Sequence, residues 1–238
     1  MAGYVQNLTG FAFGLILLGM VGLMEIAPIT DVANVVSVLM LVNAAMIFYT
    51  ERPKLEIRVI GPTMGASLIG VIIGVLLLNW LSDTVVHLLS MLLGVTIVAC
   101  AVILAQDGVA LANRSPISRF IAFGAISGVL GGLFSAAGPP LVYHFYRQPI
   151  ALRTIREGLI AIFAANALLR LAMMLPTGRF GSNAVLLSLE TVPLILLQTY
   201  WMARRPTTLR TATIRRIVCV MLALVGLGLM LSSSAYWL

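Results

Sequence analysis

The sequence predicts an all-α, polytopic membrane protein built from two inverted repeats. Each repeat is expected to open with a re-entrant helix broken by glycine and proline, within about seven or eight membrane segments in all. Three observations carry this. Of 238 residues, 61% are hydrophobic and only 10% charged, and the mean hydropathy is +1.07, a profile that excludes a soluble globular domain. Apolar runs of membrane-spanning length alternate with short polar connections that hold most of the arginines. One run, Phe120 to Arg147 (FIAFGAISGVLGGLFSAAGPPLVYHFYR), is interrupted by a Gly-Pro-Pro sequence that a continuous helix does not accommodate.

Taken in order, residues 11–27 form the first apolar run, with Gly14, Gly19 and Gly22 allowing close helix contact before Glu25 and Ala27-Pro28 interrupt it. A second run at 29–50 carries Asp31, Asn34 and Asn43, and ERPKLEIR at 51–58 is a charged loop. Residues 59–80 read as a long helix through Pro62, Gly65, Gly70 and Gly74, LSDT at 81–84 as a tight turn, and 85–105 as the return. A polar connection at 106–119 leads to the broken run, after which Arg147, Arg153 and Arg156 mark a loop. Then follow a helix at 157–176, the turn-rich PTGRFGSN at 176–183, a span at 184–203 with Glu190 and Pro193, and a last span at about 214–235. The halves match in outline: a glycine-spaced helix ending at a proline break, a helix, a helix with an early proline, a final span. This outline predicts a first membrane repeat at 1–106, a cytoplasmic linker at 107–118 and a second repeat at 119–238.

Charge supplies the orientation. The formal net charge is +7, and Lys54 is the single lysine. The arginines lie between apolar runs, where orientation signals belong, so no nucleic-acid partner is expected. RRPTTLRTATIRR at 204–216, with five arginines and no acid, is the strongest cytoplasmic signal, whereas LSDT has no cation and faces outward. Both 106–119 and 147–156 then fall on the cytoplasmic side, so 120–147 must leave and return on one side as a re-entrant hairpin. Arg179, in a loop expected outside, runs against this scheme. The first cation is Arg52, which leaves no positive n-region for a cleavable signal. Whether the first repeat opens with a full span or a hairpin stays open at this level. Cys100 and Cys219 read as small buried hydrophobes; no metal-ligand spacing and no nucleotide-binding motif stand out, so no metal or cofactor is expected.

The break at Ser135-Ala-Ala-Gly-Pro-Pro140 carries the chemistry. Pro139-Pro140 ends one helix and suits the first turn of the next, giving two half-helices at a non-helical elbow. Within hydrocarbon such an elbow survives only against protein or a water-filled cavity. The second half-helix directs its free amides and positive dipole end there, which is an anion site made of backbone. A small oxyanion is therefore expected at Gly138 to Leu141, midway through the membrane.

The run Gly124-x-x-Ser-Gly128-x-x-Gly131-Gly132, followed by Gly138-Pro-Pro-Leu-Val142 and an aromatic pair, resembles the sulfite exporter TauE/SafE family. Arg156-Glu-Gly-Leu159, Phe163 and Asn166 are similar to that family's second repeat, and the Pro62–Gly65 and Gly70–Gly74 helix to its first. The first half departs from the family pattern, with Leu23-Met-Glu-Ile-Ala-Pro28 where glycines are usual. The resemblance implies transport of sulfite, sulfonates or related organic anions across the bacterial inner membrane.

The candidate substrate-binding residues are Ser135, Gly138, Pro139, Pro140 and Leu141 at the elbow, with Asn166 and Arg170 one turn apart on the next helix. Intramembrane arginine is costly and by default functional; Arg170 either draws the oxyanion inward or is structural, snorkelling or paired with Glu190. Glu25 is the proton-coupling candidate, a carboxylate beside the first proline break, with an interface role as its alternative. The function expected is secondary anion transport by alternating access, with a passive channel and an intramembrane hydrolase built on Ser127 and His144 as alternatives. The expected partners are a small anion and the lipid bilayer, with a homodimer left open.

Overall fold

A computed structural model of the chain describes residues 12–24, 28–51, 55–84, 86–105, 111–135, 138–176, 191–193 and 211–235. These residues are helical, with no strand among them. The elements are α1 (Ala12–Leu23), α2 (Ile29–Glu51), α3 (Ile57–Thr84), α4 (Val86–Ala105), α5 (Ile117–Phe134), α6 (Gly138–Tyr146), α7 (Leu152–Met174) and α8 (Thr211–Ala235). Among the described residues, four stretches are long and apolar enough to cross a membrane: Thr30–Thr50, Ile57–Trp80, Ile117–Phe134 and Leu152–Met174. Apolar side chains also cover the outside, including Ile69, Ile73 and Leu76 on α3 and Leu224 and Leu231 on α8. That is the surface a helix presents to lipid rather than to water.

The glycine spacing is explained by one interface. α3 and α5 run parallel, with Thr63 against Gly124, Ser67 against Gly128 and Val71 against Gly132. A Cβ added at Gly128 would collide with the Ser67 carbonyl, and one at Gly74 with the Val129 carbonyl. The two backbones therefore touch without intervening side chains, the packing mode that small residues permit in membranes. α7 also runs parallel to α3, with Gly158 beside Ile60 and Asn166 beside Ser67. α4 packs antiparallel to α8 through Gly94 and Gly226.

The chain turns back between α5 and α6, which form a helical hairpin. α5 ends at Ser135, whose backbone is left-handed (φ 54°), and α6 begins at Gly138. Its two open ends are tied together: the Leu111 amide donates to the Arg147 carbonyl (2.8 Å), and the Ser115 amide to Gln148 Oε1 (2.9 Å). Gln148 Nε2 donates in return to Ser115 Oγ (3.1 Å). Between the arms, His144 stacks on Phe123 (centroids 4.5 Å apart) and meets Phe120 edge-on (4.6 Å). α6 has nine residues, about 13 Å at helical rise, against a hydrocarbon core of roughly 30 Å.

Some helix ends differ from expectation. Residues 81–84 continue α3 instead of turning, since LSDT contains no glycine or proline. α7 starts at Leu152 rather than at 157, so Arg153 and Arg156 lie on its first turns. There Arg153 Nε donates to Glu157 Oε1 (2.8 Å), a one-turn pair that supports the early start. The helix expected at 184–203 falls largely outside the described residues, as do Glu25, Arg179 and Glu190.

Candidate functional site

The site forms where the elbow meets α2 and α7. Arg170 is wholly buried, with 0% exposure. Nε donates to the Gly132 carbonyl (3.0 Å), and Nη1 donates to Asn34 Oδ1 (2.7 Å) and Ser37 Oγ (3.2 Å). Nη2 is buried with no hydrogen-bond partner. Every partner of the guanidinium is neutral, and among the described residues no carboxylate pairs with it. A buried cation left in this state is destabilising in the empty protein, because desolvation is not offset by an opposite charge.

Ser135 and Ser37 place their hydroxyls 2.6 Å apart. Ser37 has one proton to give, and its Oγ donates it to the Ala33 carbonyl (2.9 Å). Ser135 is then the donor of the pair, and Ser37 accepts from both Ser135 and Arg170. The left-handed turn at Ser135 is uncommon for a residue with a side chain; it aims the hydroxyl at α2 while its amide still caps α5 on the Gly131 carbonyl (2.9 Å). Gly14 of α1 closes on the same place: a Cβ there would lie 2.8 Å from Val36 and 3.6 Å from the Ser135 carbonyl.

Asn166 sits one turn before Arg170 on α7 and is 3% exposed. Its Nδ2 donates to Ser67 Oγ on α3 (2.7 Å), while the other end of the amide is buried and unpartnered. Gly138 and Leu141, at the start of α6, are buried as well. Pro139 and Pro140 have no amide proton, so Gly138 and Leu141 hold the amides of that first turn.

Among the sequence-predicted residues, Ser135 and Arg170 thus meet through Ser37, and Asn166 shares Arg170's helix face. Asn34, Ser37 and Ser67 were not picked out by sequence reasoning as site residues. The available signal was Asn34-x-x-Ser37, two polar residues one turn apart in an apolar helix. Arg153, expected in a loop, is paired with Glu157 on α7. Arg114 forms a two-pronged pair with Glu56 at the same end of the molecule (2.7 and 2.8 Å). A narrow cavity opens beside that pair, between Glu56, Ile60, Phe145 and Thr154. A fixed cation with an open nitrogen, flanked by hydroxyl and amide groups, suits reversible binding of an anion.

The family model described as "Sulfite exporter TauE/SafE" matches residues 1–229. A curated relative from Cupriavidus necator, "Probable sulfite/organosulfonate exporter TauE", is 32% identical over 234 residues, covering 98% of this chain and 91% of the relative. No solved structure gives a significant match. With a whole-length family match, apolar spanning helices and a buried, open-handed arginine, the chain belongs to the sulfite exporter TauE/SafE family, whose members are multi-pass inner-membrane transporters of bacteria and not enzymes.

Proposed function

We propose that this protein moves sulfite or an organosulfonate across the bacterial inner membrane by alternating access, with the anion held between Arg170 Nη2 and the elbow of the α5–α6 hairpin. The observation that carries the proposal is the unpartnered, wholly buried Nη2 of Arg170 beside the uncoiled chain at Ser135. A charge in that position asks for an anionic partner. Ser135, Asn166 and the amides of Gly138 and Leu141 complete the binding set, and Pro139-Pro140, in the first turn of α6, keep α5 from running on into it.

Arg170 has no solvent access in this conformation. A substrate must therefore be admitted by movement, which favours gated access over an open channel. The Ser37–Ser135 contact joins α2 to the hairpin and is a natural point of separation. The two-repeat reading, 1–106 and 119–238 about a linker at 107–118, is supported by pairing: α2 packs against α7, and α4 against α8, one from each half.

In proteoliposomes, an imposed proton gradient is expected to drive sulfite or a sulfonate uphill. Flux that only ever follows the anion's own gradient would reject alternating-access coupling. Glu25, beside Pro28, is the proposed coupling carboxylate. Glu25→Gln is expected to flatten the pH dependence of flux while leaving anion binding in place; a retained proton response in that variant removes Glu25 from the scheme.

A further inference from the structure

The way Arg170 is held says which anions it can accept. A guanidinium recognises a planar carboxylate best through two parallel hydrogen bonds along one edge, from Nε and Nη2 or from Nη1 and Nη2. Here both edges are half occupied. Nε is engaged by the Gly132 carbonyl (3.0 Å), and Nη1 by Asn34 (2.7 Å) and Ser37 (3.2 Å). Only Nη2 is unpartnered. An arriving anion therefore meets a single nitrogen and must find its remaining donors elsewhere, at the elbow amides and at the Ser135 hydroxyl once the Ser37–Ser135 contact opens.

A pyramidal or tetrahedral sulfur oxyanion spreads its oxygens in three directions and can place them on separate donors. A carboxylate has two oxygens in one plane and loses its best mode of recognition. Resting on the Arg170 site described above, we infer that Asn34 is a specificity-determining residue: by occupying Nη1 it denies carboxylates the two-nitrogen edge and reserves the site for sulfur oxyanions bound end-on. Asn34 acts from α2, in the first half of the chain, on an arginine in the second, 136 positions away. It is neutral, so it restrains Nη1 without discharging the cation. An aspartate there would restrain it equally and also neutralise it.

The test compares methanesulfonate with acetate, as thermal-shift titrations on the purified full-length protein. The wild type is expected to bind methanesulfonate at least about tenfold more tightly than acetate, about one charge-assisted hydrogen bond. Asn34→Ala is expected to narrow that ratio several-fold, chiefly by tightening acetate. Asn34→Ser, too short to reach Nη1 but still polar, should shift the ratio the same way and serves if Asn34→Ala does not fold. Asn34→Asp should weaken both anions together. A ratio unchanged in Asn34→Ala and Asn34→Ser, with methanesulfonate binding still dependent on Arg170, overturns the role of Asn34 alone. Binding that survives Arg170→Gln overturns the site itself, and this inference with it.

Discussion

Arg170→Gln is expected to separate binding from stability. The arginine is fully buried, its partners are neutral, and one terminal nitrogen has none. Removing a buried positive charge with no counter-charge relieves a desolvation penalty, and glutamine can retain a hydrogen bond to Asn34 or to the Gly132 carbonyl. The empty variant should therefore melt at the wild-type temperature or above it. Anion affinity should move the other way. Losing a desolvated, charge-assisted contact costs about 2–5 kcal/mol, or roughly thirty- to several-thousand-fold in Kd. Thermal-shift titration with sulfite reads both effects in one experiment. A purely structural arginine would reverse the pattern, with a lower melting temperature and unaltered affinity.

The second large effect concerns the scaffold. Gly128→Ala should sharply reduce the yield of folded protein, although it adds one methyl group. That methyl would meet the Ser67 carbonyl, which belongs to the backbone of α3 and cannot rotate away. Overpacking of this kind costs typically about 1–3 kcal/mol and more when backbone must shift, a large part of a total stability of roughly 5–15 kcal/mol. Gly65→Ala is the control. Gly65 lies on α3, two residues before Ser67, exposed, with nothing within 4 Å of the added atom. Alanine there should be neutral or stabilising by up to about 1 kcal/mol, from helix propensity. Size-exclusion profiles and melting curves of the two variants check the contrast. The outcome bears on function too, because α5 carries both the Gly132 carbonyl that holds Arg170 and the Ser135 hydroxyl.

Local chemistry made part of this site legible before any coordinates. Two prolines end a helix wherever they fall, so the elbow and the return of α6 followed from Pro139-Pro140. A charge inside an apolar run is conspicuous, which brought out Arg170 and, one turn earlier, Asn166. The first-half residues were not legible. Asn34 and Ser37 are unremarkable polar residues within α2, and a membrane-embedded serine commonly bonds the carbonyl four residues back, as Ser37 does with Ala33. Their importance comes from α2 packing on α7 across 136 positions, which no local pattern encodes. The missed start of α7 has the opposite cause: arginines at 153 and 156 looked like loop charge, yet a one-turn bond to Glu157 makes that segment helical. The glycines of α3 and α5 are plain in the sequence, but not that these two helices pack on each other, in parallel.

The most direct test of the account uses a heavier analogue of the substrate. Selenite has the pyramidal oxyanion shape of sulfite and an anomalous scatterer at its centre. Crystals of the wild-type protein grown with selenite should show a selenium peak within hydrogen-bonding reach of Arg170 Nη2 and the Ser135–Leu141 elbow. A selenium peak at another place in the protein, with Nη2 still unpartnered, would contradict the claim that this arginine and this elbow hold the transported anion.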